Sequence, residues 1–147
     1  MEIRLITNNK KDYLELLLLA DEQENMIDKY LERGDLFALY DGELKSTCVV
    51  TDEGGGVFEL QSLATYEKFQ RQGFATKLIE YIREYYSGTG RTLIVGTGDT
   101  PTIVSFYERR GFRFSRRIEN YFLEHYDNPI IEDGVQLTDK VYFSMSL

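Results

Sequence analysis

The chain has 147 residues, 42% hydrophobic and 29% charged, which suits one folded domain with a single core and excludes a disordered chain. Its formal net charge of −8 disfavours nucleic acid as a partner, because phosphate binding needs clustered cations. No apolar run approaches the ~20 residues of a membrane span, and with one cysteine and one histidine neither a disulfide framework nor a Cys/His metal site is expected.

The opening MEIRLITNN lacks the basic, apolar and small-residue order of a secretion signal, so a reducing cytoplasm is the expected setting. Glu2–Ile6 reads as a first strand, closed by the turn-prone pair Asn8-Asn9. Tyr13, Leu14, Leu17 and Leu18 recur at helical spacing within Lys11–Ala20. A second helix is predicted over Asp21–Leu31, with Met26, Ile27, Tyr30 and Leu31 buried, and Gly34 punctuates it. Leu36–Tyr40 and Leu44–Thr51 flank Asp41-Gly42, a strong hairpin signal. Cys48 lies in the second of these strands. Nothing near it in sequence would lower its pKa, so it reads as a small core residue.

After the turn at 52–56, Val57–Thr65 is a strand that leads through Gln70, Gly73 and Ala75 into a helix over Gly73–Tyr86. Phe74, Ala75, Leu78, Ile79, Ile82, Tyr85 and Tyr86 are expected on one face of that helix, with Lys77, Glu80, Arg83 and Glu84 on the other. Thr92–Gly96 is short and apolar, as a central strand covered on both faces would be. In the GTGDTP that follows, Pro101 stands where a dinucleotide-binding fingerprint needs its third glycine. Asp99 or Thr100 instead caps a helix that runs to Arg110 and stops at Gly111. Phe112–Ser115 begins another strand and Arg116–Leu123 is ambiguous. Glu124–Asp139 reads as an irregular loop with Asp133 and Gly134 among its turn formers. A loop that long is expected to serve as a lid or as a contact in a homodimer, and the sequence leaves both open. Val141, Phe143, Met145 and Leu147 then alternate as a half-buried last strand.

A strand that feeds a helix through a glycine presents the N–H groups of the first helical turn, which have no partner inside the helix. The helix dipole adds positive potential there, so residues 70–76 form a candidate anion site. Charge is distributed accordingly. Residues 67–117 hold 10 Lys/Arg against 5 Asp/Glu, and the rest of the chain holds 7 against 20. That pattern points to an anionic ligand beside the middle of the chain and a cationic one elsewhere.

Gln70-Arg71-Gln72-Gly73-Phe74-Ala75 matches the Q/R-x-x-G-x-G/A signature of the GNAT superfamily of N-acetyltransferases. Further on, Phe106-Tyr107-Glu108-Arg109-Arg110-Gly111-Phe112 resembles that family's second landmark, an aromatic-Tyr-x-x-x-Gly-Phe helix end. The order of elements fits the family over the whole chain. The resemblance implies a single GNAT domain over residues 1–147 with an α/β fold. Its mostly antiparallel sheet would be splayed at the strands near 57–65 and 92–96, with helices on both faces. It also implies acetyl-CoA as co-substrate, no metal, and transfer of the acetyl group to a primary amine.

By that resemblance, the main-chain amides of Arg71, Gln72, Gly73, Phe74, Ala75 and Thr76 would bind the diphosphate. Those of Leu63 and Thr65 would contact the pantetheine and the thioester carbonyl, where negative charge develops. Arg71, Lys77 and the basic pairs at 109–110 and 116–117 add positive charge. Tyr107 matches the tyrosine that protonates the departing thiolate, and Glu59 stands where some members carry a catalytic glutamate. An alkylamine is mostly protonated at neutral pH, and freeing its lone pair costs about 4–5 kcal/mol. A carboxylate, directly or through a water, would accept that proton. Many members carry an asparagine near the start of the second helix, close to the cofactor. Here Thr100 is the nearest equivalent, and by the resemblance its hydroxyl would replace part of that hydrogen bonding.

The family's acceptor site is formed largely by the first two helices and the later loops. Here those carry Asp12, Glu15, Asp21, Glu22, Glu24, Asp28, Glu32, Glu124, Asp127, Glu132 and Asp133. A small cationic amine is therefore the expected acceptor: a polyamine, an aminoglycoside-like sugar, or a Lys or N-terminal amine. His125 reads equally as a loop residue or as an acid or base. A non-catalytic acyl-CoA sensor on the same fold, and a protein or peptide amine acetyltransferase, remain alternatives. The acidic balance disfavours charged tRNA as acceptor. Pro101 and the missing phosphate-loop lysine disfavour a nucleotide-binding domain.

Overall fold

A computed structural model describes all 147 residues. Its centre is a seven-stranded sheet built from β1 (Glu2–Ile6), β2 (Asp35–Asp41), β3 (Glu43–Gly54), β4 (Val57–Thr65), β5 (Thr92–Gly98), β6 (Arg113–Ile118) and β9 (Lys140–Ser146). A separate two-stranded hairpin comprises β7 (Ile131–Glu132) and β8 (Val135–Gln136). The order across the large sheet is β1-β2-β3-β4-β5-β9-β6. Every neighbouring pair is antiparallel except β4–β5. The helices are α1 (Leu14–Ala20), α2 (Glu24–Ile27), α3 (Phe74–Tyr86), α4 (Pro101–Arg109) and α5 (Tyr121–His125).

The parallel pair follows from its connection. A helical crossover is needed to bring a chain back parallel to the strand it left, and α3 supplies it between β4 and β5. The apolar face of α3, with Leu78, Ile79 and Ile82 at most 1% exposed, packs on one side of the sheet. Burial of each such side chain contributes roughly 1.5–3 kcal/mol. Tyr86 closes that helix by donating its hydroxyl to Asp35 of β2 at 2.5 Å. On the other side, Leu17 of α1 and Ile27 of α2 cover Leu36 and Val49 together with Tyr30 and Leu31. Helices on both faces of a mostly antiparallel sheet are the architecture that the resemblance implied. Cys48 is fully buried in the first of these layers, where desolvation pushes its thiol pKa up.

β4 and β5 also separate as expected. Their pairing runs from Val57–Thr92 to Leu60–Val95 and stops. Gln61–Thr65 on one strand and Gly96–Gly98 on the other continue without facing each other, while β5 stays paired to β9 along its length. A β-bulge precedes the split. Val49 pairs with Ser62 but Val50 pairs with Leu60, so Gln61 is the extra residue. A one-residue insertion reverses the alternation of everything beyond it.

Two predicted elements differ, and the ambiguous 116–123 stretch resolves. The second helix ends at Ile27, and residues 28–34 continue as tight turns that mix i−3 and i−4 bonds, although Met26, Ile27, Tyr30 and Leu31 are buried as predicted. Arg116–Ile118 belongs to β6, and Tyr121–His125 is helical. Residues 131–136 form a hairpin whose turn, Asp133-Gly134, has φ of 51° and 75°. The positive φ at both positions is what an Asp-Gly two-residue turn supplies.

Candidate active site

A cavity of about 750 Å³ occupies the split, within the range of small-molecule sites. Its walls are Leu60–Leu63 and Thr65 of β4, Val95–Gly98 of β5, the start of α3, and Thr102, Ile103, Phe106, Tyr107, Arg109 and Arg110 around α4. On the far side it reaches α1, the 29–33 turns and the 121–137 segment.

The turn into α3 is built around two left-handed residues, Arg71 at φ 63° and Gly73 at φ 85°. Glycine holds such a conformation without strain, whereas arginine does not, and strain of this kind marks functional turns. The Gln70 side chain steadies the turn by donating to the Thr65 carbonyl at 3.2 Å, and Gln72 donates to the Lys68 carbonyl at 3.3 Å. None of the backbone N–H groups from Arg71 to Thr76 finds an acceptor within the chain. Six free donors in a concave turn at a helix start suit an oxyanion. Arg110 donates to the Thr76 hydroxyl through Nε at 2.9 Å and Nη2 at 2.8 Å, and its guanidinium lies 4.3 Å from the Phe106 ring centroid. Arg71, Arg109 and Arg110 line the cavity. The other basic pair does not. Arg116 stacks on Tyr142 at 4.4 Å, and Arg117 is paired with Asp99 at 2.9 Å and Asp139 at 2.8 Å.

Thr100 is 1% exposed, and its hydroxyl accepts from the Ile103 N–H at 3.3 Å as the N-cap of α4. It is absent from the cavity wall, where Thr102 and Ile103 stand instead. Tyr107 reaches the cavity from the same helix and is 8% exposed. Edge-on rings of Phe106 at 5.1 Å and Phe112 at 5.5 Å fix its plane. Burial pushes its phenol pKa up, so the hydroxyl keeps its proton as a donor.

Glu59 is 8% exposed and stands on β4 between Thr51 of β3 and Ile94 of β5. The bulge at Gln61 places it on the sheet face opposite to Leu63. It is outside the cavity wall, which begins at the next residue. Burial raises its carboxyl pKa, with the Lys140 charge the largest opposing effect.

The far wall is aromatic and acidic. Asp21 accepts hydroxyls from Tyr30 at 2.9 Å and Tyr126 at 2.6 Å. Gln23 accepts from the Asp127 N–H at 2.9 Å, so the 121–137 segment is tied to the α1–α2 connection. Of the acidic residues singled out from sequence, Asp21, Glu22 and Glu132 line the cavity. Burial raises the Glu132 pKa, with Glu22 the next cause. Glu24 and Asp28 instead both hold Lys11 at 2.6 Å. His125 stacks on Tyr121 at 4.2 Å, outside the cavity. Ser62, 5% exposed, lines the cavity with its hydroxyl unpaired. The sequence reading missed Ser62, Tyr126 and Lys140, whose positions depend on long-range pairing rather than on local pattern.

The family model for the acetyltransferase (GNAT) domain matches residues 32–114. The chain belongs to the GNAT acetyltransferase family. It is 32% identical over its full length to the uncharacterized N-acetyltransferase YvbK of Bacillus subtilis, covering 97% of that protein. Among solved structures it resembles a GNAT family acetyltransferase from Elizabethkingia anophelis with acetyl-CoA bound, at a TM-score of 0.93 and 31% identity, covering 99% of this chain and 97% of that one. A Bacillus subtilis acetyltransferase in complex with CoA matches at a TM-score of 0.91 and 32% identity, covering 99% and 98%. As a GNAT member the chain is an N-acetyltransferase with acetyl-CoA as co-substrate.

Membership gives the Gly73 turn a testable weight. A Cβ at Gly73 would meet nothing of the protein within 4 Å, so its effects come from the positive φ and from the space above the free amides. Gly73→Ala is expected to cost about 1 kcal/mol of stability. It should also raise the acetyl-CoA KM about tenfold through one weakened charged hydrogen bond, with kcat spared. Melting curves and initial rates test both; an unchanged KM would remove the turn from donor binding.

Proposed function

We propose that residues 1–147 act as one catalytic unit that acetylates the primary amine of a small acceptor by direct attack on acetyl-CoA. The observation that carries this reading is the split between β4 and β5, with six unpaired amides at one end and an aromatic, acidic recess at the other. The amides of Arg71–Thr76, with Arg71, Arg109 and Arg110, would hold the diphosphate. Main-chain groups of Leu63 and Thr65, which have no partner on the β5 side, would hold the pantetheine and the thioester carbonyl. Thr100 would act there indirectly, as the cap that fixes the start of α4.

In the step itself the amine lone pair forms the new C–N bond and the C–S bond breaks. The departing sulfur takes the Tyr107 proton, and the nitrogen loses its own proton through water to Glu59. The position of Glu59 behind the wall supports the water-relayed form over direct contact. The products are an amide and the free thiol. Asp21, Glu22 and Glu132 would attract the acceptor amine in its protonated form.

Glu59→Gln tests the base. Its folded pKa lies above the unfolded value, so the folded state binds the extra proton, and stability falls as pH rises from about 4.3 through that raised value. The neutral glutamine is therefore expected to raise the melting temperature at pH 7, to lower kcat about 10²-fold, and to remove the acid limb of the pH–rate profile. Retention of that limb in the variant would exclude Glu59 as the base. Thiol release from acetyl-CoA across an amine panel tests the reading as a whole, and silence toward every amine would defeat it.

A further inference from the structure

Lys140 opens β9 opposite Gly98 of β5 and Ile118 of β6. Val141, Phe143 and Met145 of the same strand enter the core under α3, so Lys140 and Tyr142 point to the opposite face, the face of Glu59. The lysine stem crosses Gly96, the first β5 residue past the last β4–β5 pair. A Cβ there would overlap Lys140 Cε and come within 2.8 Å of the Tyr142 ring, so a glycine is what lets the side chain lie flat across the strand. The ammonium lies 4.4 Å from the Tyr121 ring centroid and 5.0 Å from that of Tyr142. It lines the cavity, half-buried, at the opening of the split.

No ion pair or hydrogen bond occupies this ammonium. Arg33, which also lines the cavity, is paired with Glu53 at 3.0 Å, and Arg110 is held by Thr76. Glu59 feels the Lys140 charge but is outside salt-bridge distance and behind the wall. With Arg33 taken up by Glu53, Lys29 and Lys140 are the cations set beside Asp21, Glu22 and Glu132 on the acceptor side, so both signs of charge face the cavity. A site built for a polycation alone would not set an unpaired ammonium among its carboxylates. An acceptor with both signs of charge fits this one better, and aromatic rings lie between the two ends.

We infer that Lys140 is the anchor for a carboxylate on the acceptor, so that the amine acetylated at this site belongs to an amino acid rather than to a plain alkylamine. The inference rests on the acetyl-transfer reading of the same cavity and names its substrate class. Because Lys140 lies across Gly96, where β4 and β5 part, the carboxylate it binds would sit at the opening of the split. The side chain then extends toward Tyr121, Phe122 and Tyr126.

The test uses matched pairs that differ by the carboxylate alone: alanine and ethylamine, leucine and isoamylamine, phenylalanine and phenethylamine, lysine and cadaverine. Thiol release from acetyl-CoA is expected to give a kcat/KM at least about tenfold higher for the acid in the pairs that react, as one charged hydrogen bond allows. Lys140→Met should collapse that ratio to about one, while Lys140→Arg keeps part of it. Calorimetry with coenzyme A present gives a second readout, in which N-acetylphenylalanine binds more tightly than N-acetylphenethylamine to the original protein but not to Lys140→Met. Equal or better rates for the decarboxylated amines, or an unchanged ratio in Lys140→Met, would overturn the inference and leave acetyl transfer standing. Absence of thiol release from every pair would overturn both.

Discussion

Tyr107→Phe is expected to lower kcat by about 10²-fold or more while the acetyl-CoA KM moves by no more than about twofold. The ring is gripped by Phe106 and Phe112, and phenylalanine keeps those contacts. The change therefore removes one oxygen and little packing. Loss of a buried hydroxyl whose removal leaves no partner unsatisfied is close to neutral for stability, so a slower enzyme with an unchanged melting curve would locate the loss in the chemical step. The direction of the phenol pKa matters too. Burial raises it above its ordinary value near 10, so the proton is present throughout the neutral range. No alkaline limb from Tyr107 should then appear in the pH–rate profile below about pH 10. A thiolate is itself a tolerable leaving group, with a pKa near 8.5 for a free thiol. If the variant's rate matched the original, sulfur would be leaving without help and Tyr107 would be a packing residue.

What could be read from the sequence was the part of the site that is local. Gln70–Thr76 is contiguous, so the spacing of one glutamine, one glycine and one alanine already describes the turn that the fold displays. Tyr107 likewise comes with its own helix end, Arg110-Gly111-Phe112. The acceptor side is different in kind. Strict alternation along β4 would put Glu59, Gln61, Leu63 and Thr65 on one face, and the bulge at Gln61 moves Glu59 to the other. Nothing in the residues 57–65 announces that bulge; it arises in the pairing with β3. Lys140 is a lysine at the start of a strand until β5 contributes Gly96 and α5 contributes Tyr121. The Asp133-Gly134 hairpin was hidden because its strands are two residues each, too short for a period to show. The acidic character of the early helices was legible, but its allocation was not, since Lys11 takes up Glu24 and Asp28 outside the cavity lining.

Lys10→Met is expected to destabilise the fold by about 3 kcal/mol, a drop of roughly 10 °C in melting temperature for a chain of this size. In the sequence Lys10 is half of an unremarkable Lys-Lys pair at a helix start. In the fold it is 8% exposed, and its ammonium donates to the carbonyls of Leu31 at 3.0 Å, Glu32 at 3.1 Å and Gly34 at 2.6 Å. Those carbonyls end the turns that replace the second half of the predicted helix, so one cation caps the last carbonyls of a segment whose bonds mix i−3 and i−4. Methionine fills the stem's volume and leaves the three acceptors without their donor. Each bond to a charged donor is worth roughly 1.5–3 kcal/mol, and the three share one cation, so the loss is less than their sum. Arginine should not rescue it, because a planar fork cannot converge on three carbonyls as an ammonium does. The same turns carry Lys29, Tyr30 and Arg33 to the cavity, and Tyr30 holds Asp21. Below its melting temperature the variant should therefore show a raised KM for the amine with the acetyl-CoA KM unchanged. A melting temperature within about one degree of the original would correspond to only a few tenths of a kcal/mol and would mean that water replaces the ammonium at little cost. An equal rise in both KM values would mean that the turns do not act on the acceptor side alone.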